Sequence, residues 1–212
     1  MRPEAIVALV GMIAIADTST SRAPETIVVQ DPEAYRVYEA VFQRAPPVTG
    51  AKAKSVVVRA ETVRNDRCGV SGPALQEEWK SVIESFDRQN ARPRVLLPGF
   101  ALQPPYVLVT SAELDALAAG ARHDEAWWGA FYQAFPDSGG FFEVSAVGFD
   151  ARQTRAMAYV AHHCGGLCGS GKHHLLEKVG GRWRAARPEG LSQCQWIAGL
   201  GAVPAFRVRS PV

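Results

Sequence analysis

The sequence predicts an α+β domain in which N-terminal helices pack on a C-terminal antiparallel β-meander of about four strands, with one or two earlier strands added. Three observations carry this reading. Apolar residues recur at helical spacing in several segments up to Phe135. Beyond Pro136-Asp137 the spacing moves towards two. The connections there shorten to tight glycine turns such as Gly180-Gly181. Helices gathered ahead of an antiparallel sheet are expected to cover one face of it. At 212 residues, with 47% hydrophobic and 21% charged, the chain has an ordinary globular composition; disorder, collagen and coiled coil are excluded.

Asp31-Pro32 starts the first helix, with Asp as N-cap and Pro at the first helical position. Tyr35, Tyr38, Val41 and Phe42 share one face of it, and Pro46-Pro47 ends it. Val56-Val57-Val58, within Ala53 to Val63, has strand character. A second helix follows Gly72-Pro73, where Leu75, Trp79, Val82, Ile83 and Phe86 form an amphipathic stripe that belongs to a core. Pro93 and Pro98 break the chain before a short apolar strand, Tyr106 to Val109. Thr110 and Glu113 make a capping box for a helix through Leu114 and Leu117. Asp124 caps another, bearing Trp127, Trp128, Phe131, Tyr132 and Phe135, and Pro136 to Gly140 closes it as a turn. Four strands are expected next: Phe141 to Val147, Arg155 to His163, Lys172 to Val179 and Arg182 to Ala186.

Four regions divide the chain. Residues 1–16 read as a signal peptide: Arg2, an apolar run from Ala5, and Ala14-Ile15-Ala16 before Asp17 as an A-x-A cleavage site. As a helix that run rises only about 18 Å, short of the roughly 30 Å hydrocarbon core, which argues against the competing reading of an uncleaved anchor; no second long apolar segment appears, so no membrane span is expected after cleavage. Residues 17–30 are Ser/Thr/Pro-rich and read as a flexible leader, 31–194 as the single α+β domain, and 195–212 as a loose C-terminal tail. The chain is therefore expected to be exported, periplasmic or secreted. Lys+Arg 23 against Asp+Glu 21 leaves +2, which gives no sign of a nucleic-acid partner.

Cys68, Cys164, Cys168 and Cys194 are an even number in a chain expected to be exported, so disulfides are the default. Three connectivities are possible. Cys164 and Cys168 can meet across a Gly-rich loop, which would leave Cys68 to pair with Cys194.

Reactive side chains concentrate in His162 to His174. Gly166 to Lys172 satisfies G-x-x-x-x-G-K, but His173 stands where a P-loop needs Ser or Thr, and a strand follows where a helix is required. A metal site is the second reading. A hairpin register pairing His163 with His173 would place His162 opposite His174 on the other face. His163, Cys164, Cys168 and His173 would then offer nitrogen and sulfur to Zn or Cu. A bridge between the cysteines removes both thiolates, and the spacing fits no standard zinc template. Redox chemistry at Cys164 and Cys168 lacks the C-x-x-C spacing and the helix N-terminus that activate such pairs. Glu143 and Glu177 are the acids that could flank a pocket, with no motif setting their distance.

The stretch Phe135-Pro136-Asp137-Ser138-Gly139-Gly140, with Val147-Gly148-Phe149-Asp150, Cys164 to Gly169 and Leu175 through Trp183, resembles a group of uncharacterised exported bacterial proteins. Their pattern is a C-G-G-L-C-G loop between two strands and a final L-x-K-x-x-G-x-W hairpin, matched over roughly residues 104 to 186. The resemblance implies export and brings no catalytic or metal residue. More loosely, helices followed by such a meander are similar to cone-shaped α+β domains of the nuclear-transport-factor-2-like type, an analogy of fold alone.

These readings converge on an exported, disulfide-stabilised binding or interaction domain, not an enzyme and without a cofactor, whose partner is an unknown small molecule or protein. The alternatives are a periplasmic metal-binding protein using the His/Cys-rich hairpin, and a hydrolase with an acid or His aimed into a pocket between sheet and helices.

Overall fold

A computed structural model describes residues 26–43, 53–64, 77–102, 104–117 and 125–186, and the short strand segments 70–71, 192–193, 195–197 and 201–203. The expected signal peptide, the Pro46-Pro47 stop, Cys68, Leu75, the Asp124 cap, Cys194 and the end of the tail lie outside these. Among the described residues no helix is long and apolar enough to cross a membrane.

Helices and a mixed, mostly antiparallel sheet build an α+β fold that ends in a strand meander. Helix α1 (Pro32–Phe42) starts where the sequence places it: Asp31 accepts from the Glu33 amide, with Pro at the first turn. Strand β1 (Ser55–Arg59) is followed by β2 (Val70–Ser71), helix α2 (Lys80–Gln89), β3 (Tyr106–Val109), α3 (Ser111–Asp115) and α4 (Glu125–Ala134). The Thr110/Glu113 capping box is present in both directions. Then come β4 (Ser138–Val144), β5 (Gly148–Phe149), β6 (Arg155–Gly165), β7 (Cys168–Val179), β8 (Arg182–Ala185), β9 (Ser192–Gln193), β10 (Gln195–Ile197) and β11 (Gly201–Val203). The main sheet runs β11-β10-β7-β6-β4-β1-β3, with β1 parallel to both β3 and β4, and the remaining pairs antiparallel.

The helices cover both faces of the sheet, where one covered face was expected. Side chains alternate along a strand, so β1 sends Val56 and Val58 to one layer and Val57 to the other. On the first face Tyr35, Tyr38, Val41 and Phe42 of α1 bury against Val56, Val58, Phe142, Val144 and Ala158. On the second, α2 packs Val82 and Phe86 onto Met157, Tyr159 and Leu175, while α4 packs Trp127, Trp128 and Phe131 onto Val57 and Phe141. Burial on both sides explains the unbroken apolar runs in β1 and β6.

Two polar or backbone details tie the layers together. Asn90, buried at the end of α2, donates to the Phe86 and Ala146 carbonyls at 2.8 and 3.0 Å and accepts from the Ala146 amide at 2.8 Å. Gly148 approaches α2 so closely that a Cβ there would fall 2.4 Å from the Phe86 nitrogen.

Three sequence boundaries move. The strand expected from Phe141 begins at Ser138, because Gly140, at φ +108°, crosses the His163 carbonyl so tightly that a Cβ would lie 2.0 Å from its oxygen. The expected leader is tied down at its end: the Val29 amide donates to the Val95 carbonyl at 2.9 Å, and Val29 is buried. Residues expected in the loose tail supply β10 and β11. The long outer edge of β7 is paired in two pieces, by β8 at Leu176–Val179 and by β10 at Ser170–Lys172, which satisfies backbone groups a meander alone would leave open.

Candidate functional site

The His/Cys-rich segment folds as the tip of the β6–β7 hairpin. Gly165 pairs with Cys168, Gly166-Leu167 forms the turn, and Cys164 and Cys168 are joined by a disulfide with Cα atoms 5.0 Å apart. The strands therefore run nearly to the turn, and the register differs from the expected one. His163 lies opposite Gly169, and His173 opposite Tyr159. Four rungs, roughly 13 Å at about 3.3 Å per residue, separate the two histidines that were expected to face each other. His162 lies opposite Ser170 and His174 opposite Ala158, so the second expected pair is likewise apart. Among the described residues no group of three His, Cys, Asp or Glu side chains converges as metal ligands would. The residues Gly169 to Lys172 of the apparent P-loop are strand.

Each histidine has its own environment. His162 lies flat on Phe142 with ring centroids 4.4 Å apart, and its Nε2 donates to the Gly139 carbonyl at 2.9 Å. Burial pushes its pKa down, helped by the neighbouring His163, against the opposing effect of that hydrogen bond. His163 lies flat on Phe141 on the opposite face, at 4.8 Å. His173 is 2% exposed, wedged against Phe86 and Tyr159. Its Nδ1 has no hydrogen-bond partner, and burial lowers its pKa to about 4. It is a neutral core residue.

The structure brings together one pair of sequence candidates, Glu143 and His163, and adds Arg59, which the sequence reading missed. The β4–β6 register sets Phe141 opposite His163, and Glu143 lies two residues along on the same face. His163 Nε2 donates to Glu143 Oε2 at 3.1 Å, and Arg59 Nη1 to Glu143 Oε1 at 2.8 Å. Arg59 Nε continues to Ser111 Oγ at 2.8 Å, and Ser111 donates to Glu61 at 2.7 Å. Burial would raise the Glu143 pKa, but the His163 hydrogen bond and charge, with those of Arg59, outweigh it and hold the carboxyl at about 2. Both carboxylate oxygens are engaged, so this chain of charges clamps β1, β4 and β6. Glu177 stands elsewhere, 3.4 Å from Arg155.

Concave surface lies on the other side of the molecule, along the outer flank of α1. One hollow of about 480 Å³ is walled by Val29, Pro32, Tyr35, Leu97, Pro98 and Gly99. A second, of about 430 Å³, is walled by Ala40, Gln43, Gly181, Arg182 and Trp183. Arg36 and Glu39, on the outward side of α1, line both, so one hollow lies on each flank of the helix. The first hollow is fixed by hydrogen bonds: Tyr35 donates to Val29 O at 3.0 Å and accepts from the Leu97 amide at 2.8 Å, and Glu39 accepts from the Ala101 amide at 2.7 Å. Glu33 joins α1 to the last hairpin by accepting from Lys178 at 2.7 Å and Trp183 at 2.9 Å. Sequence reasoning assigned α1 only a core face. The one hint of the hollows was Arg36 and Glu39 together on its outward side, which needs the fold to be read.

No family model, curated protein or solved structure matches the chain.

Proposed function

We propose that this chain is an exported, disulfide-stabilised binding domain that holds a small ligand in the hollow between α1 and Leu97, Pro98 and Gly99. The observation carrying the reading is the hollow of about 480 Å³ beside α1, where Leu97 stands 47% exposed on its wall. Its volume falls in the range of small-molecule sites, roughly 300–1,000 Å³, and its mainly apolar wall with a few polar groups has the usual composition of such sites. A bridged hairpin supports an oxidising compartment, where disulfides persist. The ladder of Val70 with Gln193 sets two segments side by side, each within two residues of a cysteine, which supports pairing Cys68 with Cys194.

The test is native mass spectrometry of full-length chain expressed for export and recovered from the periplasm without reductant or chelator. The expected species is cleaved after Ala16, carries two disulfides and retains an organic adduct that Leu97→Asp removes. An uncleaved chain with free thiols overturns the export reading. An adduct that survives Leu97→Asp overturns the hollow as the site.

A further inference from the structure

The main sheet ends on one side at β3, whose inner edge pairs with β1 and whose outer edge pairs with no strand among the described residues. The Val56 amide donates to the Pro105 carbonyl at 2.9 Å, and the Ala60 amide to the Val109 carbonyl at 2.8 Å. The peptide groups of residues 105, 107 and 109 therefore face β1, and the amides and carbonyls of Tyr106 and Leu108 face outward. This open stretch is bounded at both ends. At Pro104 the chain bends and has no amide to donate. The Thr110 amide already donates to Glu113 at 2.7 Å, and the Thr110 carbonyl accepts from the Leu114 amide at 3.0 Å. Two donors and two acceptors remain, symmetric about Val107, which is 46% exposed. Tyr106 to Val109 carries no charge to keep a second strand away.

We infer that β3 is the interface of a symmetric dimer, in which the edges of two copies of this chain pair antiparallel about a two-fold axis at Val107. In that register Tyr106 of each copy exchanges both backbone hydrogen bonds with Leu108 of the other, so every open group finds a partner. Val107 meets its own counterpart in a non-hydrogen-bonded pair, where side chains approach most closely, and the exposed valine is covered. A shift of two residues sets Tyr106 against Thr110 or Leu108 against Pro104, and leaves an open group of each copy without a partner. A foreign extended peptide finds the same backbone groups, but the strand has no charged side chain to select one, whereas a second copy supplies the matching set by symmetry. Four residues a side is small beside the roughly 20–30 of a standard interface, so the dissociation constant is expected between about 10 µM and 1 mM.

The experiment uses the oxidised full-length protein. Sedimentation equilibrium from about 5 µM to about 1 mM should show a monomer–dimer equilibrium. Val107→Lys sets two like charges against each other on the axis and should raise the dissociation constant about tenfold or more, without lowering the melting temperature of the dilute protein. Hydrogen exchange reads the register. The Tyr106 and Leu108 amides should be protected in concentrated protein and exchange freely in dilute protein, while those of Val107 and Val109, bonded to β1, stay protected in both. A monomer across the whole range overturns the inference and leaves the edge to a foreign peptide. A dimer of unchanged affinity in Val107→Lys, or one in which the Tyr106 and Leu108 amides still exchange freely, overturns β3 as the interface. Protection of those two amides at every dilution shows another segment of the same chain on the edge, and overturns the second copy as its occupant.

Discussion

Glu143 and His163 lie on neighbouring strands with the imidazole Nε2 3.1 Å from the carboxylate, and Arg59 grips the other carboxylate oxygen from β1. This clamp works only while Glu143 is ionised. Its carboxyl titrates near 4.5 in the unfolded chain and at about 2 in the fold, so its contribution is complete above pH 4.5 and is lost as the pH falls towards 2. The difference corresponds to about 3 kcal/mol. Urea melts at pH 6, 4 and 2.5 should show the loss, and Glu143→Gln should flatten that part of the profile.

His173 gives a second pH dependence in a different window. Buried and neutral, it takes a proton only near pH 4, whereas the unfolded chain protonates near 6.5. The unfolded state therefore binds more protons between those values, and stability falls as the pH drops from 6.5 to 4. His173→Phe keeps an aromatic ring between Phe86 and Tyr159 and removes the proton-binding group. The variant should lose this slope, measured as the change in melting temperature between pH 7 and pH 4.5.

Asn90 satisfies both the amide and the carbonyl of Ala146 inside the protein. Asn90→Ala would leave those groups buried without partners, at a cost of about 2–3 kcal/mol. Chemical denaturation should show a lower midpoint, with the largest loss of hydrogen-exchange protection at Ala146.

Gly148→Ala should destabilise by at least as much as ordinary overpacking, about 1–3 kcal/mol. The added carbon meets the backbone of Phe86, not a side chain that can rotate away. A melting temperature equal to wild type would show that α2 and β5 are not in contact in solution.

The bridge between Cys164 and Cys168 closes a short loop, so the chain-entropy model gives about 2 kcal/mol. Replacing both residues with Ser should lower the melting temperature in non-reducing buffer. Peptide mapping without reduction should return the 164–168 pair and, as a separate product, the proposed 68–194 pair.

The sequence by itself determined the α+β class, the start of α1 at Asp31-Pro32, the Thr110 capping box and the Gly180-Gly181 turn. Each of these is set by residues within a few positions of one another, where local hydrogen bonding and backbone preference decide the outcome. The tertiary structure alone decided the hairpin register that parts His163 from His173, the β1–β4–β6 contacts that join Arg59 to Glu143, and the coverage of both sheet faces. It also decided that β10 would pair the open edge of β7 and that hollows would flank α1. Those outcomes depend on pairing between residues far apart in the chain. A strand's alternation shows which residues share a face, but which strand lies beside it is set by the burial and hydrogen bonding of the whole sheet.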